Sequence, residues 1–386
     1  MIEKNTTSAV DRGTTKGFSG KQTFRSAFPG KYIQGEGAIS LLPALVDSLG
    51  KKGLIIGSLS GIGRILADQG LSAELGSLDK EAFSGECCLS EIDRLEELVR
   101  QNKADVIIGM GGGKVIDTAK VVADRIGIPV IVVPTIASTD APCSGCAVLY
   151  SDDGIFQSVY YPRSNPDVVL MDVSLISKAP VRFLVSGIGD ALSTWFEARS
   201  CDLSGSMNEC GGHPTLTGFN LARLCYETIL RYGEEAKAAN EKKIVTPSLH
   251  YVIEANTLMS GIGFESGGLA TAHSVHNGLS HLEGTHAYYH GEKVTFGVLT
   301  GLHLARSPMK EMEEVYGFCE RIGLPTTLAA IGLSHNDGEG LMKAAIHSCE
   351  PDSRIHHEPF TVTASMVFQA MLNADSMGRS RMSRHP

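Results

Sequence analysis

Residues 105–117 read Asp-Val-Ile-Ile-Gly-Met-Gly-Gly-Gly-Lys-Val-Ile-Asp, which is an apolar strand, a glycine-rich turn and a helix start in direct succession. This arrangement aims backbone N–H groups and a helix N-terminus at a pyrophosphate. Glycines suit the turn at 111–113 because a side chain would block close approach of the backbone to a ligand. The run is neither a Walker A sequence nor a strict GxGxxG, so alone it also fits an ordinary strand-to-helix turn.

Around this turn, short β-branched runs alternate with amphipathic stretches up to about residue 172. Ser90–Asp93 predicts the start of a helix as a capping box, and 115–126 carries an apolar helical face. Strands interleaved with helices indicate a parallel sheet. The predicted buried strands are Gly53–Gly57, Ala104–Gly109, Pro129–Val133 and Asp167–Asp172.

The strand signal ends near residue 174, and helical patterns follow at Gly189–Cys201, Thr215–Arg231, Leu249–Gly261 and Thr361–Met377. We therefore predict an α/β N-terminal, Rossmann-like parallel-sheet domain over 27–180 and an all-α C-terminal domain over 181–386. Residues 1–26 are rich in Ser, Thr, Gly and Lys without an apolar period, which predicts a disordered extension. A cleft between the two domains is the expected ligand site.

Composition excludes several classes of protein. The net charge is −9 without a dense Lys/Arg cluster, so nucleic acid is not an expected partner. No long apolar window or signal-like N-terminus is present, which predicts a cytoplasmic protein without a membrane partner. Nine scattered cysteines argue against a disulfide framework, and the Cys143/Cys146 pair lacks the further ligands of a zinc site, so buried packing is expected there.

A second polar loop follows the strand at 129–133, at residues 134–144. Loops at the carboxyl ends of parallel strands are where ligands bind in open sheets. Thr135, Ser138 and Ser144 are candidates to hydrogen-bond a dinucleotide, and Asp140 is a candidate to orient a substrate hydroxyl. The alternative is that these residues only form turns, as Ser, Thr, Asp and Pro often do.

Five of the thirteen histidines fall between residues 273 and 290, which indicates metal binding. They are His273, His276, His281, His286 and His290. A catalytic divalent metal generally takes three protein ligands, so two histidines would need a carboxylate. The candidate carboxylates are Glu265, Glu283, Glu292 and Asp190, and spacing does not choose among them. Each histidine could instead cap a helix or satisfy a core polar group.

Over about residues 28–376, the sequence resembles the glycerol dehydrogenase family of the iron-containing (type III) alcohol dehydrogenase superfamily, which has a dehydroquinate synthase-like fold. The motifs that carry the resemblance are Pro29-Gly-Lys-Tyr-Ile-Gln34, Gly111-Gly-Gly-Lys-Val-Ile-Asp-Thr-Ala-Lys120, Pro134-Thr-Ile-Ala-Ser-Thr-Asp-Ala-Pro142, Gly187-Ile-Gly-Asp-Ala-Leu192, Gly263-Phe-Glu-Ser-Gly-Gly-Leu269 and Tyr288-Tyr-His-Gly-Glu-Lys-Val294.

The resemblance implies metal ligands at Asp190, His273 and His290, and leaves His276 as a neighbour of the site. Many members of the wider superfamily carry a histidine ligand four residues after the aspartate, where this chain has Thr194. The absence of that fourth ligand favours zinc over iron, although iron remains possible.

The resemblance also implies contacts with NAD and a substrate contact at Asp140. Cys146 stands where the family usually has leucine, and Ser58 where it has an aspartate after the first strand. An acidic residue there would bind the adenosine ribose and repel a 2'-phosphate. NAD is still expected, because no arginine or lysine lies immediately beside Ser58 along the chain, and the next one after it is Arg64. The implied cofactor-binding residues are Ser58, Gly112, Gly113, Lys114, Asp117, Thr135, Ser138, Ser144, Cys146 and Tyr150.

The function implied is NAD-dependent oxidation of glycerol and similar vicinal diols to products such as dihydroxyacetone, by hydride transfer from an alkoxide formed at the metal. A homo-oligomer is expected, and the resemblance suggests an octamer. The alternatives are a dehydrogenase for another small diol or hydroxyketone, a dehydroquinate synthase-type lyase, or a dinucleotide-binding protein without activity. The lyase would need several basic residues near the metal, and only Lys293 lies close to the ligands in sequence.

Overall fold

The computed structural model describes residues 23–68, 70 and 78–383 of the 386-residue chain. Its centre is a six-stranded parallel sheet in the order β1-β8-β5-β4-β2-β3. An antiparallel hairpin of β6 and β7 stands beside it. The strands are β1 Tyr32–Gly35, β2 Gly53–Gly57, β3 Asp79–Ala82, β4 Val106–Gly111, β5 Val130–Pro134, β6 Ala147–Tyr150, β7 Phe156–Tyr160 and β8 Val168–Asp172.

Alternate side chains of the sheet enter two apolar cores, as the period of a strand requires. Ile55, Ile108 and Ile131 face a core made with α1, Leu42–Leu49, and α2, Leu59–Asp68. The opposite side chains, among them Leu54, Ile107 and Val132, face α3, Leu89–Asn102, and α4, Gly113–Ile126. This second core continues without a break into the helical half.

The order of the strands creates a switch point between β2 and β4. From β2 the chain proceeds to β3 on one side, and from β4 it proceeds to β5 on the other. Ligands of open parallel sheets bind in the crevice outside the carboxyl ends of such strands. Ser58 and Gly112 follow these two ends.

Beyond β8 the described chain is helical, which confirms the predicted fold class. One continuous rod is formed by α8, a π-helical turn at Ala255–Met259, and α9. The helices are α5 Val173–Lys178, α6 Val181–Ser204, α7 Leu216–Glu241, α8 Pro247–Glu254, α9 Ser260–Gly267, α10 Thr271–Leu279, α11 His290–Leu304, α12 Met309–Ile322, α13 Gly338–Ser348 and α14 Ala364–Met382. None of the helices in the described residues has the length and apolar composition needed to cross a membrane.

The structure departs from the sequence predictions at several elements. The capping box at Ser90 is wrong, because α3 begins at Leu89 without a side-chain cap and the Ser90 hydroxyl donates to Asp152 instead. Strands β1, β3, β6 and β7 were not predicted. The predicted disorder lies outside the described residues for 1–22, whereas Phe24 forms a β-bridge with His213.

Candidate active site

Three side chains from three helices of the C-terminal half converge on one point. Asp190 lies in the middle of α6, His273 in the first turn of α10, and His290 at the start of α11. The Nε2 atoms of His290 and His273 lie 3.1 and 3.5 Å from Oδ1 of Asp190. This oxygen is buried and makes no hydrogen bond with any described residue, so neither imidazole approaches it with hydrogen-bond geometry.

The hydrogen-bond partner of Nδ1, on the side of each imidazole away from Asp190, determines which ring nitrogen carries the proton. Nδ1 of His273 lies 2.6 Å from Oε2 of buried Glu197, and an ionised carboxylate only accepts, so His273 is protonated on Nδ1. Nδ1 of His290 lies 3.1 Å from Nε2 of His276, whose own Nδ1 lies 3.0 Å from Oδ1 of Asn277. With the Asn277 oxygen accepting, His290 donates from Nδ1 and keeps a lone pair on Nε2.

In their neutral tautomers, His273 and His290 both present a lone pair to the unpartnered oxygen of Asp190, an arrangement that a bound cation would satisfy. Asp190, His273 and His290 form a group of potential ligand atoms within 4.8 Å of one another. One carboxylate and two histidines match the ligands of catalytic zinc sites. The residues present consequently fit a divalent metal ion.

The charges around this group favour the ionised form of Asp190. Burial opposes ionisation, but the nearby imidazoles of His290 and His273 outweigh it and lower the pKa of the Asp190 carboxyl. Burial, followed by the proximity of His290, lowers the pKa of His276 well below its usual value. The neutral His276 can therefore accept from Nδ1 of His290. Burial opposes protonation of His273, but the carboxylates of Glu197 and Asp190 outweigh it and raise the pKa of this imidazole well above its usual value, so a metal that binds there displaces a proton.

Close packing of α6 against α11 brings Asp190 and His290 together. A Cβ at Gly291 would overlap the backbone carbonyl of Ser186 and lie 3.0 Å from the backbone nitrogen of Asp190. A Cβ at Gly189 would overlap the carbonyl oxygen of Gly291 and the hydroxyl of Thr295. Both positions thus require glycine for backbone approach, which explains why the Gly187–Leu192 and Tyr288–Val294 motifs contain it.

The other carboxylates weighed as ligands lie elsewhere. Glu292 accepts a hydrogen bond from the backbone N–H of Tyr289 and two from Arg182, so it fixes the start of α11. Glu265 is buried and accepts from the backbone of Gly145 and from Asn165. Glu283 is exposed in a 3₁₀ turn. Among the four candidates, only Asp190 faces the histidines.

Asp140 joins the strand half to this group. Its backbone N–H donates to Oδ2 of Asp190 over 3.2 Å, and its own Oδ2 accepts from the hydroxyl of Ser260 over 2.8 Å. Burial, and then the negative charge of Asp190, raise the pKa of the Asp140 carboxyl. The polar loop after β5 therefore ends beside the candidate metal ligands.

The glycine turn lies at the switch point of the sheet. Gly112 occupies the N-cap position of α4 without a side-chain hydrogen bond, and Gly113 begins the helix. Ser58 is exposed just after β2, and the backbone N–H of Thr135 donates to the carbonyl of Gly111. Free N–H groups at such a helix start attract phosphate.

Of the remaining residues predicted to contact a dinucleotide, Lys114 pairs with Glu86 and lies over the ring of Tyr150 at 5.2 Å. Ser138 is half-buried, and its carbonyl accepts from Ser186. Asp117 is buried, with one carboxylate oxygen near Lys120 and the other accepting from the backbone of Val148.

Ser144 and Cys146 lie in the segment between β5 and β6. Ser144 is fully buried and donates to the carbonyl of Ala141, while Cys146 donates to the Ser144 hydroxyl. Cys143 is buried and Cys146 is half-buried, and neither forms a disulfide with a described residue. Direct contacts of Asp117, Ser144 and Cys146 with a cofactor remain predictions.

Sequence reasoning missed Glu197, which orients His273. Its Oε1 also accepts from the backbone N–H groups of Ala270 and His273, so the carboxylate fixes both the ring and the start of α10. Glu197 follows Asp190 by seven residues, which places both on one face of α6. That spacing was a signal from which the pair could have been found.

Replacement of Glu197 with glutamine is expected to weaken metal binding by about ten- to hundredfold, because loss of the carboxylate that orients a metal-bound histidine typically lowers metal affinity by that amount. Competition with a chelator measures the change. Glu358→Gln is the matched control, since Glu358 is a buried glutamate that accepts from Thr271 and Ser200 and not from a metal-ligand candidate. Equal metal affinity in the two variants would contradict the role of Glu197.

The fold and the candidate metal site are those of an alcohol dehydrogenase, a class that the similar proteins support. A family described as iron-containing alcohol dehydrogenase matches residues 29–173. The chain is 50% identical to a glycerol dehydrogenase of Thermotoga maritima over 92% of this chain and 97% of the relative. It is 44% identical to a glycolaldehyde reductase of Halobacterium salinarum over 91% and 97% of the two chains.

A crystal structure of a probable glycerol dehydrogenase from Sinorhizobium meliloti 1021 matches with a TM-score of 0.86 and 44% identity, covering 93% of this chain and 100% of that one. The chain belongs to the glycerol dehydrogenases of the iron-containing alcohol dehydrogenase family. It is an oxidoreductase, and this membership replaces the lyase interpretation.

Proposed function

We propose that this chain oxidises glycerol, and similar vicinal diols, to the corresponding hydroxyketone with NAD as the hydride acceptor. The observation that carries the proposal is the convergence of Asp190, His273 and His290 beside Asp140. Similarity to the Thermotoga maritima glycerol dehydrogenase supports glycerol as the substrate.

We propose that Asp190, His273 and His290 hold one zinc ion. Three protein ligands that leave room for substrate are typical of catalytic zinc. The hydroxyl of Thr194, one turn after Asp190, is hydrogen-bonded to the hydroxyl of Ser260, so it does not act as a fourth ligand. A bound metal would supply Lewis-acid chemistry toward a substrate hydroxyl, and NAD would supply the acceptor for the hydride on the carbon that bears this hydroxyl.

The residues of the chain then supply position and charge. Glu197 and His276 hold the two imidazoles in the tautomers that leave Nε2 free. Asp140 is placed to accept a hydrogen bond from the neighbouring hydroxyl of a diol, because its backbone N–H binds Asp190 and its carboxyl, whose pKa is raised by burial and then by the charge of Asp190, lies close to that residue. This second contact would favour diols over mono-alcohols.

Steady-state rates test the proposal. We expect turnover with glycerol, 1,2-propanediol and 2,3-butanediol, with NAD preferred over NADP, and reduction of dihydroxyacetone in reverse. The metal bound to the purified protein is identified by elemental analysis. Turnover of none of these diols with either cofactor would contradict the proposed function.

The preference for NAD over NADP is expected to depend on the residue at position 58, which is a serine here. Its hydroxyl accepts a long hydrogen bond from the Gly61 backbone at the start of α2, a capping role that aspartate also fills. Ser58→Asp is expected to raise the preference for NAD over NADP by about tenfold, since a carboxylate there repels a 2'-phosphate. The ratio of kcat/KM for the two cofactors measures it. Ser58→Asn, which keeps the cap without the charge, is the control, and an equal shift in both variants would contradict the electrostatic explanation.

A second candidate is reduction of a small hydroxyaldehyde. It is favoured by the 44% identity to the Halobacterium salinarum glycolaldehyde reductase. The same site would serve the reverse direction, with Asp140 bound to the hydroxyl next to the carbonyl. A kcat/KM for glycolaldehyde with NADH that exceeds that for dihydroxyacetone would favour this candidate.

We further propose that the chain forms a cytoplasmic homo-oligomer and that its two domains meet near residue 180. Light scattering after size-exclusion chromatography measures the oligomeric state. A monomeric protein would contradict the proposed homo-oligomer.

A further inference from the structure

The carboxylate of Asp140 is held from the helical half by two hydroxyl groups in series. Ser260 Oγ donates to Asp140 Oδ2 over 2.8 Å, and Thr194 Oγ1 lies 2.7 Å from Ser260 Oγ. All three side chains are buried. A hydroxyl has one proton to donate, and Ser260 donates its proton to the Asp140 carboxylate. The hydroxyl of Thr194 is therefore the donor in its hydrogen bond with Ser260.

Tight packing keeps both hydroxyls in place. A Cβ at Gly263 would lie 2.7 Å from the methyl carbon of Thr194, so the backbone of α9 packs directly against this methyl group. The Thr194 hydroxyl then points to Ser260. A Cβ at Gly261 would lie 2.9 Å from the carbonyl oxygen of Asp140, so the backbone of α9 lies directly on the loop. Thr194 is also β-branched, which restricts its rotamers.

The π-helical turn before α9 sets the direction in which Ser260 points. Removing its one extra residue would rotate the following residues by about 100° around the helix axis. Asn256 within this turn donates to the carbonyls of Ala137 and Leu184 over 3.1 and 3.2 Å. The turn is thereby fastened both to the Asp140 loop and to α6.

These contacts fix Asp140 at two points, since its backbone N–H is bound to Asp190 and its Oδ2 to Ser260. Its Oδ1 makes no hydrogen bond with another described residue. We propose that Ser260, held by Thr194, is a positioning residue that directs Oδ1 of Asp140 to the second hydroxyl of the substrate. Selectivity for diols over mono-alcohols therefore depends on Ser260. This inference rests on the proposed function, which assigns Asp140 to the substrate.

The test uses the zinc-loaded full-length protein with NAD and compares 1,2-propanediol with 1-propanol. Ser260→Ala is expected to lower the ratio of kcat/KM for diol over mono-alcohol by about tenfold, through a higher KM for the diol. Bound zinc and the rate with 1-propanol should stay within about twofold. Ser348→Ala, which removes a buried helical serine that donates to the carbonyl of Ala344, is the control and should leave the ratio unchanged.

Thr194 provides a second pair of variants that leaves Ser260 intact. Thr194→Val keeps the shape but removes the hydroxyl, and it should lower the ratio about threefold, whereas Thr194→Ser should restore it. The rise in melting temperature caused by the diol should become smaller in parallel, which reports binding without turnover.

The Asp140→Asn variant distinguishes a failure of this inference from a failure of the proposed function. Lost selectivity in Asp140→Asn with an unchanged ratio in Ser260→Ala and Thr194→Val would overturn the inference alone, while unchanged selectivity in Asp140→Asn would overturn the proposed role of Asp140 itself.

Discussion

Replacement of Asp190 with asparagine is expected to lower kcat/KM for glycerol by at least about a thousandfold, because the loss of Lewis-acid assistance costs several kcal/mol. Asp190 supplies the anionic member of the ligand group, and its Oδ1 faces both imidazoles without a partner of its own. An amide lacks that charge, so we expect zinc to be absent after purification. Elemental analysis and initial rates of NADH formation measure the two effects.

Asp375→Asn is the matched control. Asp375 is equally buried in the helical half, but its carboxylate binds Arg379 and the backbone of Leu328. Its replacement should leave zinc content per folded chain and kcat/KM within about twofold. Circular dichroism confirms that both variants are folded. Zinc and turnover at the normal level in Asp190→Asn would contradict the assignment of this ligand.

Replacement of Gly291 with valine is expected to destabilise the protein by at least about 3 kcal/mol and to abolish metal binding. The new Cβ would lie 2.7 Å from the carbonyl carbon of Ser186, and backbone atoms of a buried helix cannot move aside as a flexible side chain can. Separation of α6 from α11 would carry His290 away from Asp190. Chemical denaturation and zinc content measure these effects.

The same helix offers a control with the opposite sign. A Cβ at Gly301 would lie 3.4 Å from the methyl carbon of Thr271, an ordinary contact. Gly301→Ala should therefore be neutral or stabilise the protein by up to about 1 kcal/mol through better helix propensity. Equal losses of stability at the two positions would show that close helix packing is not what Gly291 provides.

The interior strands of the sheet could be predicted because buried strands are continuous apolar runs. Gly53–Gly57 was predicted with the bounds that the structure has. Edge strand β3, Asp79–Ala82, escaped prediction because its sequence is polar and only partly buried. Hairpin strand β7, Phe156–Tyr160, is mostly exposed and has no buried face to produce a pattern.

The site could be predicted only in part from spacing. His273 and His290 could be predicted as metal ligands because they belong to a cluster of histidines. Asp190 is over 80 residues earlier in the chain, and only the tertiary packing of α6 brings it to them. Asp190 could be selected among the four candidate carboxylates only from the resemblance to a known family. The π-helical turn at Ala255–Met259 depends on the contacts of Asn256 with two other elements, which a local pattern does not encode.

We propose above that a metal held by Asp190, His273 and His290 drives NAD-dependent oxidation of glycerol. It is tested most directly by the rate of NADH formation from glycerol in chelator-stripped protein as zinc is added back. We expect no turnover without metal and a rise that ends at one zinc per chain. Full activity in protein verified to be free of metal would contradict the account.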